Sequence, residues 1–234
     1  MLLNLIRSGF STDSVISLLL FIPVILISLT VHEYFHGYAA YKFGDNTAAF
    51  HGRLTLNPLS HLDVIGTLMM LIFGFGYAKP VPINPRNFTK YKLGLCVVSL
   101  AGPLSNILLA VIGLLVKYVI LQIIVLFPFS TSLQIINSNV FVLWNIFISS
   151  FVTSNVALAV FNLIPIPPLD GSRIISSLLP AKVAYYYNKY ESYIMLVVFI
   201  LLWRGSLDGI IFFFGNKILA GIDFLIRLIP FTFF

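Results

Sequence analysis

From Tyr118 to Leu169 the chain carries no charged side chain. A stretch of that length cannot be kept in water without charge, so it needs a solvent that accepts Leu, Ile, Val and Phe on every face. A lipid bilayer is that solvent. The remainder agrees: 59% of the residues are hydrophobic and only 9% are charged, well below the roughly 25% charge of a soluble domain. The chain reads as an all-α polytopic membrane protein. A single membrane-embedded domain is expected over 1–234, with a three-helix core over about 15–178 and further helices over about 185–234.

The spans follow from the uncharged runs. Val15 to Val31 is uncharged, and a helix continued through His32 to Tyr41 is ample for a crossing. Arg7 ahead of an apolar core could belong to a signal peptide, but no small-x-small cleavage site follows. Leu93 to Val116 gives a second span. Near its start, Ala101-Gly102-Pro103-Leu104-Ser105-Asn106 favours close helix contact and a local break. An uncharged turn around Pro128 to Asn139 leads into a third span, Val140 to about Leu163.

Other segments are less regular. Val64 to Ala78, interrupted by Gly66, Gly74 and Gly76, is too short to cross and is expected to be re-entrant. His51 to Pro58 and Lys79 to Pro85 are expected as short extended segments at the membrane surface. Ser192 to Trp203, with a few preceding residues, offers a fourth full span. Gly209 to Pro230 is either another span or an interfacial helix, since it contains Lys217, Asp223 and Arg227.

The net charge of +6 comes from dispersed basic residues between apolar runs, which argues for loops facing anionic lipid and against a nucleic-acid partner. Lys42, Arg53, Lys79, Arg86, Lys90 and Lys92 lie between the first and second core helices; Arg173, Lys182 and Lys189 follow the third. The positive-inside rule makes both regions cytoplasmic and puts the N-terminus outside, with Arg7 alone running against it. The single cysteine, Cys96, excludes an internal disulfide or a thiolate metal cluster.

At the inner end of the first helix stands His32-Glu33-Tyr34-Phe35-His36, an H-E-x-x-H. Residues four apart on a helix lie about 40° apart around its axis, so both imidazoles can reach one ion while Glu33 approaches a water beside it. Zinc suits that geometry. Ionisable groups cost on the order of 2.5 to 3.5 kcal/mol each near a bilayer centre, so three within five positions need a local reason. A bound metal is one; a helix end solvated by the cytoplasm just before Lys42, Gly44 and Asp45 is the other. A catalytic zinc needs a third protein ligand, and His51, His61, Asp63 and Asp170 are the main donors outside the motif. Asp170 follows three prolines in four positions, Pro165, Pro167 and Pro168, which force the chain to unwind. Unwound backbone at membrane depth persists only where protein or a wet cavity covers it.

Phe161 to Gly171 resembles the N-x-x-P-x-P-x-L-D-G motif of the site-2 proteases, the intramembrane zinc metalloproteases, and His32 to His36 matches their H-E-x-x-H. An Ala-Gly-Pro-x-x-Asn helix lies between the two, and the resemblance covers about Val15 to Leu178. Gly74 to Asn84 is similar to the glycine-proline stretch of the family's compact bacterial branch. The resemblance implies one Zn2+ per chain held by His32, His36 and Asp170, with Glu33 as the catalytic carboxylate. Asn162 is implied to position substrate or polarise its carbonyl; Asn106, Gly74 and Asn84 are candidate cavity or substrate contacts.

Implied too is regulated intramembrane proteolysis of a transmembrane protein substrate within the bilayer; the small size without appendages points to a prokaryotic cell membrane, and the loop charges to a site toward the cytoplasm. The segment Gly74 to Asn84 offers an edge for strand addition by an unwound substrate. No inserted PDZ domain or nucleotide-sensing module fits, and no helix is expected before the motif helix. A metal transporter is the second reading, but no paired halves are visible. A catalytically silent helix-binding relative is the third, but Glu33 and all three implied ligands are present. His51 and His61 read as solvated or backbone-bonded loop histidines, and Tyr185 to Tyr187 with Trp203 as interface anchors.

Overall fold

In a computed structural model of the chain the described residues are 12–73 and 76–228, so Gly74 lies outside them. Ten helices follow in order among these residues: α1 (Thr12–Lys42), α2 (Thr47–Phe50), α3 (Val64–Phe73), α4 (Tyr91–Val125), α5 (Phe129–Ile136), α6 (Asn139–Leu163), α7 (Asp170–Leu178), α8 (Ala181–Lys189), α9 (Glu191–Trp203) and α10 (Asp208–Arg227). Four of them, α1, α4, α6 and α10, are long and apolar enough to cross a bilayer. The chain is an integral, multi-pass membrane protein of the all-α class.

Cross-helix pairs fix the directions. Asn106 of α4 bonds the Ser28 carbonyl of α1, while the Val98 carbonyl bonds His36 further along α1, so these two helices are antiparallel. Asn106 meets Asn155 of α6 and Lys117 meets Ser149, so α4 and α6 are antiparallel as well. The bundle packs inside out relative to a soluble one. Gly102, Ser105, Asn106, Ala110 and Gly113 of α4 are buried, whereas Leu104, Leu108, Ile112, Val116, Val119 and Ile123 are each 41–55% exposed along one stripe. Lipid solvates that stripe, and small or polar residues let the backbones approach. Ala110, Val152, Val156 and Val160 pack against Ile222 and Ile226 of α10, which makes α10 part of the bundle.

Several expectations are corrected. The fourth spanning helix is α10 rather than the segment around Ser192 to Trp203. That segment forms α9, 13 residues or about 20 Å long, against a hydrocarbon core of about 30 Å. Tyr190 leaves helical geometry before it, and Gly205, at φ +69°, ends it in the left-handed region that favours glycine. Pro103 does not break α4, which runs continuously because α1 and α6 hold it from both sides. The turn around Pro128 to Asn139 contains the short helix α5.

No strand occurs among the described residues. Residues 76–84 are non-helical but unpaired in any ladder, because prolines at 80, 82 and 85 delete donors and the neighbouring N–H groups serve other acceptors. His51 to Pro58 turns rather than extends.

Candidate metal centre

The C-terminal half of α1 carries His32 and His36 one turn apart, both buried, at 5% and 7% exposure. Asp170 reaches them from the first turn of α7, after the non-helical stretch Ile164 to Leu169. That stretch exists because its prolines cannot continue α6, and Tyr187 of α8 pins it by donating to the Pro165 carbonyl at 2.5 Å. Tyr187 thus braces the loop instead of serving only as an interface anchor.

Nε2 of His32 and Nε2 of His36 are 3.0 Å apart, and Asp170 Oδ2 lies 3.2 and 3.1 Å from them. The tautomers follow from backbone carbonyls, which can only accept. Phe151 O takes the amide of Asn155, so Asn155 Oδ1 faces Asn106 and accepts from its Nδ2 at 2.8 Å. The same Nδ2 donates to Ser28 O at 3.3 Å, so Asn106 presents Oδ1 to His32 and accepts its Nδ1–H at 2.6 Å. His36 Nδ1–H donates to Val98 O at 2.7 Å. In the neutral imidazoles, the form that binds a metal, both Nε2 atoms therefore bring lone pairs to the carboxylate. With the imidazoles neutral, three acceptors converge with no donor between them, an arrangement that a metal cation satisfies. A tetrahedral metal with bonds of about 2.0–2.1 Å separates its ligand atoms by about 3.3 Å, close to the observed triangle. The donor set of two imidazoles and one carboxylate suits zinc with a position open for water.

Gly102 of α4 lies against both rings: a Cβ there would fall 2.6 Å from Cε1 of each. Glu33, half-buried and next to His32, accepts the Val81 N–H on Oε2 at 2.9 Å.

The other sequence-predicted residues are placed as follows. Asn162 is in the last turn of α6, with Nδ2 donating to Leu158 O at 3.0 Å. Asn84 caps a short 3-10 turn: its Oδ1 accepts from Arg86 N–H and its own N–H goes to Asp45. Asn106 is fully buried and faces His32. Of the donors weighed as a third ligand, only Asp170 joins the histidines in a metal-capable group among the described residues. His51 bonds Thr47 O and His61 bonds Thr55 O, while Asp63 accepts the Gly66 N–H at the start of α3. Sequence reasoning missed Asn155, Ser28 and Val98 as the groups that orient the imidazoles. The one signal for them was two asparagines within otherwise apolar helices.

Residues 20–204 match the sequence profile of peptidase family M50. The chain is 42% identical over 206 residues to YwhC of Bacillus subtilis, named as a candidate zinc metalloprotease, an alignment covering 87% of this chain and 88% of that one. It is 28% identical over 195 residues to Rip2 of Mycobacterium tuberculosis, likewise named as a candidate zinc metalloprotease, covering 81% and 68% of the two chains. No solved structure matches it. With the profile spanning most of the sequence and including His32, Glu33, His36 and Asp170, the chain belongs to peptidase family M50 and is a membrane metalloprotease.

Proposed function

We propose that this metalloprotease cleaves peptide bonds in or beside transmembrane helices of other membrane proteins, in regulated intramembrane proteolysis, using one Zn2+ held by His32, His36 and Asp170. The observation that carries the reading is the buried triangle of two Nε2 atoms and Asp170 Oδ2, 3.0–3.2 Å on a side, with both histidines on a helix long and apolar enough to cross a bilayer. Zinc bound there supplies Lewis acidity to the peptide carbonyl and lowers the pKa of a water toward neutrality.

The chain's own groups do the rest. Glu33 accepts the proton of the attacking water and delivers it to the leaving amine. Asn106 and Val98 O keep both imidazoles in one tautomer and orientation. The packed faces of α1, α4 and α6 exclude bulk water from the ligands. The second amide hydrogen of Asn162 is available for the substrate carbonyl. A substrate helix hides its peptide bonds in its own hydrogen bonds, so it must unwind before attack. Strand addition along 81–84 has carbonyls to work with, because the N–H groups of Val81 and Asn84 are engaged within the chain and Pro82 has none.

The basic residues between α1 and α4 and after α6 support a cell-membrane orientation with the site toward the cytoplasm. Partners on this reading are the substrate helix and the lipid, with no nucleic acid.

The test is metal content of the detergent-purified chain beside cleavage of a single-span reporter peptide. About one zinc per chain is expected, lost in Asp170→Ala and kept in His51→Ala, with Glu33→Gln retaining zinc but not cleavage. Zinc indifferent to Asp170, or hydrolysis surviving Glu33→Gln, would defeat the assignment.

A further inference from the structure

The orientation of Glu33 is set from outside its own helix. A glutamate side chain turns about three bonds, and holding it toward one point needs an external partner. That partner is the Val81 N–H, at 2.9 Å from Oε2, on a residue only 6% exposed. Val81 lies between Pro80 and Pro82, which contribute no donors of their own to fix the segment. The segment is fixed by Arg53. Its Nη2 donates to Lys79 O at 2.7 Å and to Pro80 O at 3.3 Å, while the Lys79 N–H donates to His61 O at 2.9 Å. Arg53 is itself tied back by its backbone N–H to Ala48 O at 2.9 Å.

The Pro80 carbonyl and the Val81 N–H belong to one peptide group. A trans peptide is planar, with oxygen and hydrogen on opposite edges, so Arg53 and Glu33 grip the two edges of a single rigid unit. A cation on the oxygen polarises the group and strengthens the N–H as a donor to the carboxylate. With Oε2 held, Oε1 is left for the proton in transit.

We infer that Arg53 is a positioning residue for proton transfer by Glu33, acting through the Pro80–Val81 peptide. The inference rests on the metalloprotease reading above. Without Arg53 the segment loses its clamp on both carbonyls, and Glu33 loses its fixed direction while the metal ligands stay in place. Misplacement of a reacting group by about 1 Å costs on the order of 100-fold in rate, and loss of an outer-shell partner about 10- to 100-fold.

The experiment uses the full chain in detergent micelles with Arg53→Ala, Arg53→Lys and Val81→Pro, each also combined with Glu33→Gln. Val81→Pro deletes the N–H and leaves Arg53 untouched, so it remains informative where Arg53→Ala folds poorly. Three quantities are read: zinc per chain, kcat and KM on a fluorophore-quencher-labelled Leu/Ala-rich single-span peptide, and the Kd of benzohydroxamate. A hydroxamate hands a proton to a carboxylate beside the metal, so its affinity reports where Glu33 points.

Arg53→Ala and Val81→Pro are expected to keep zinc, lower kcat by about 10- to 100-fold with KM within about twofold, and weaken benzohydroxamate about tenfold. Arg53→Lys, which keeps the charge but not the planar guanidinium that reaches both carbonyls, falls between. In the Glu33→Gln background the hydroxamate loss should vanish. A hydroxamate loss of equal size in that background would make Arg53 a merely structural residue, and unchanged kcat would dismiss it altogether. A rise in kcat would make the segment a brake on Glu33 rather than its support. Wild-type protein that holds no zinc and binds no hydroxamate would remove the metalloprotease reading itself; wild-type binding with silent Arg53 variants would remove only this inference.

Discussion

Asn106 and Asn155, both fully buried, face each other between α4 and α6, and Nδ2 of Asn106 donates to Oδ1 of Asn155 at 2.8 Å. The pair is a relay from a backbone carbonyl to a proposed metal ligand. Phe151 O orients Asn155, Asn155 orients Asn106, and Asn106 orients the ring of His32. Polar side chains inside a bilayer-spanning bundle find partners on neighbouring helices, and here the partner of the last one is His32 of the metal-capable group.

Asn106→Ala should therefore lower zinc affinity by about 10- to 100-fold, since it strands the Nδ1–H of His32 and frees the ring to turn. Asn155→Ala should cost less, because Ser28 O still holds the Asn106 amide. Chelator competition on the purified variants measures both. Equal affinities for Asn106→Ala and wild type would break the relay argument.

Gly102 makes a steric version of the same claim. A methyl at this position would fall 2.6 Å from Cε1 of both His32 and His36, well inside van der Waals contact. Alanine favours helix over glycine by about 1 kcal/mol, so Gly102→Ala should leave α4 helical by circular dichroism. The expected result is a folded chain without tightly bound zinc. Stoichiometric zinc in Gly102→Ala would mean that the rings can yield.

What could be read from the sequence was what lies close along the chain. His32, Glu33 and His36 occupy one turn, so helical period alone brings them together, and the three prolines before Asp170 announce unwound backbone. Asn106 and Asn155 have meaning only through the register between α4 and α6, which no local pattern encodes. The Pro80–Val81 peptide is similar: its tie to Glu33 depends on where a non-helical segment crosses α1. The length of α9 was hidden because Tyr190 and Gly205 end it by backbone geometry inside an otherwise apolar run.

Asp45 predicts a pH effect outside the spans. It is fully buried just after α1 and accepts from Thr47 N–H at 3.1 Å, Thr47 Oγ1, Asn84 N–H at 2.7 Å and Asn87 Nδ2 at 2.8 Å. Burial pushes its pKa up, but the donors from Thr47, Asn84 and Asn87 outweigh it and hold the carboxyl below its ordinary value. A group whose folded pKa is depressed adds stability that is complete above the unfolded value, about 3.9, and is lost as pH falls through the folded value. Asp45→Asn should cost about 2 kcal/mol at neutral pH. It should also flatten the loss of thermal stability below about pH 4. Melting curves of both proteins across that range decide it; parallel acid limbs would show that Asp45 does not contribute.

At the other end of the bundle Tyr118 of α4 donates to Asp223 of α10, and Arg227 Nε donates to the same carboxylate at 2.7 Å. Tyr118 is sixteen residues beyond Gly102 along α4, about 24 Å at 1.5 Å per residue, so this cluster is remote from the metal ligands. It accounts for an acidic side chain on a spanning helix: Asp223 is matched to a hydroxyl of α4 and to a guanidinium of its own helix. Tyr118→Phe removes the one direct hydrogen bond between α4 and α10 that involves Asp223, and bonds of this kind in bilayers contribute about 0.6–1.7 kcal/mol. The variant should unfold at lower denaturant, with zinc content unchanged. If α10 instead lay flat on the membrane surface, Tyr118→Phe would leave stability where it was, and a cysteine placed near Arg227 would label from the same side as one placed near Lys92.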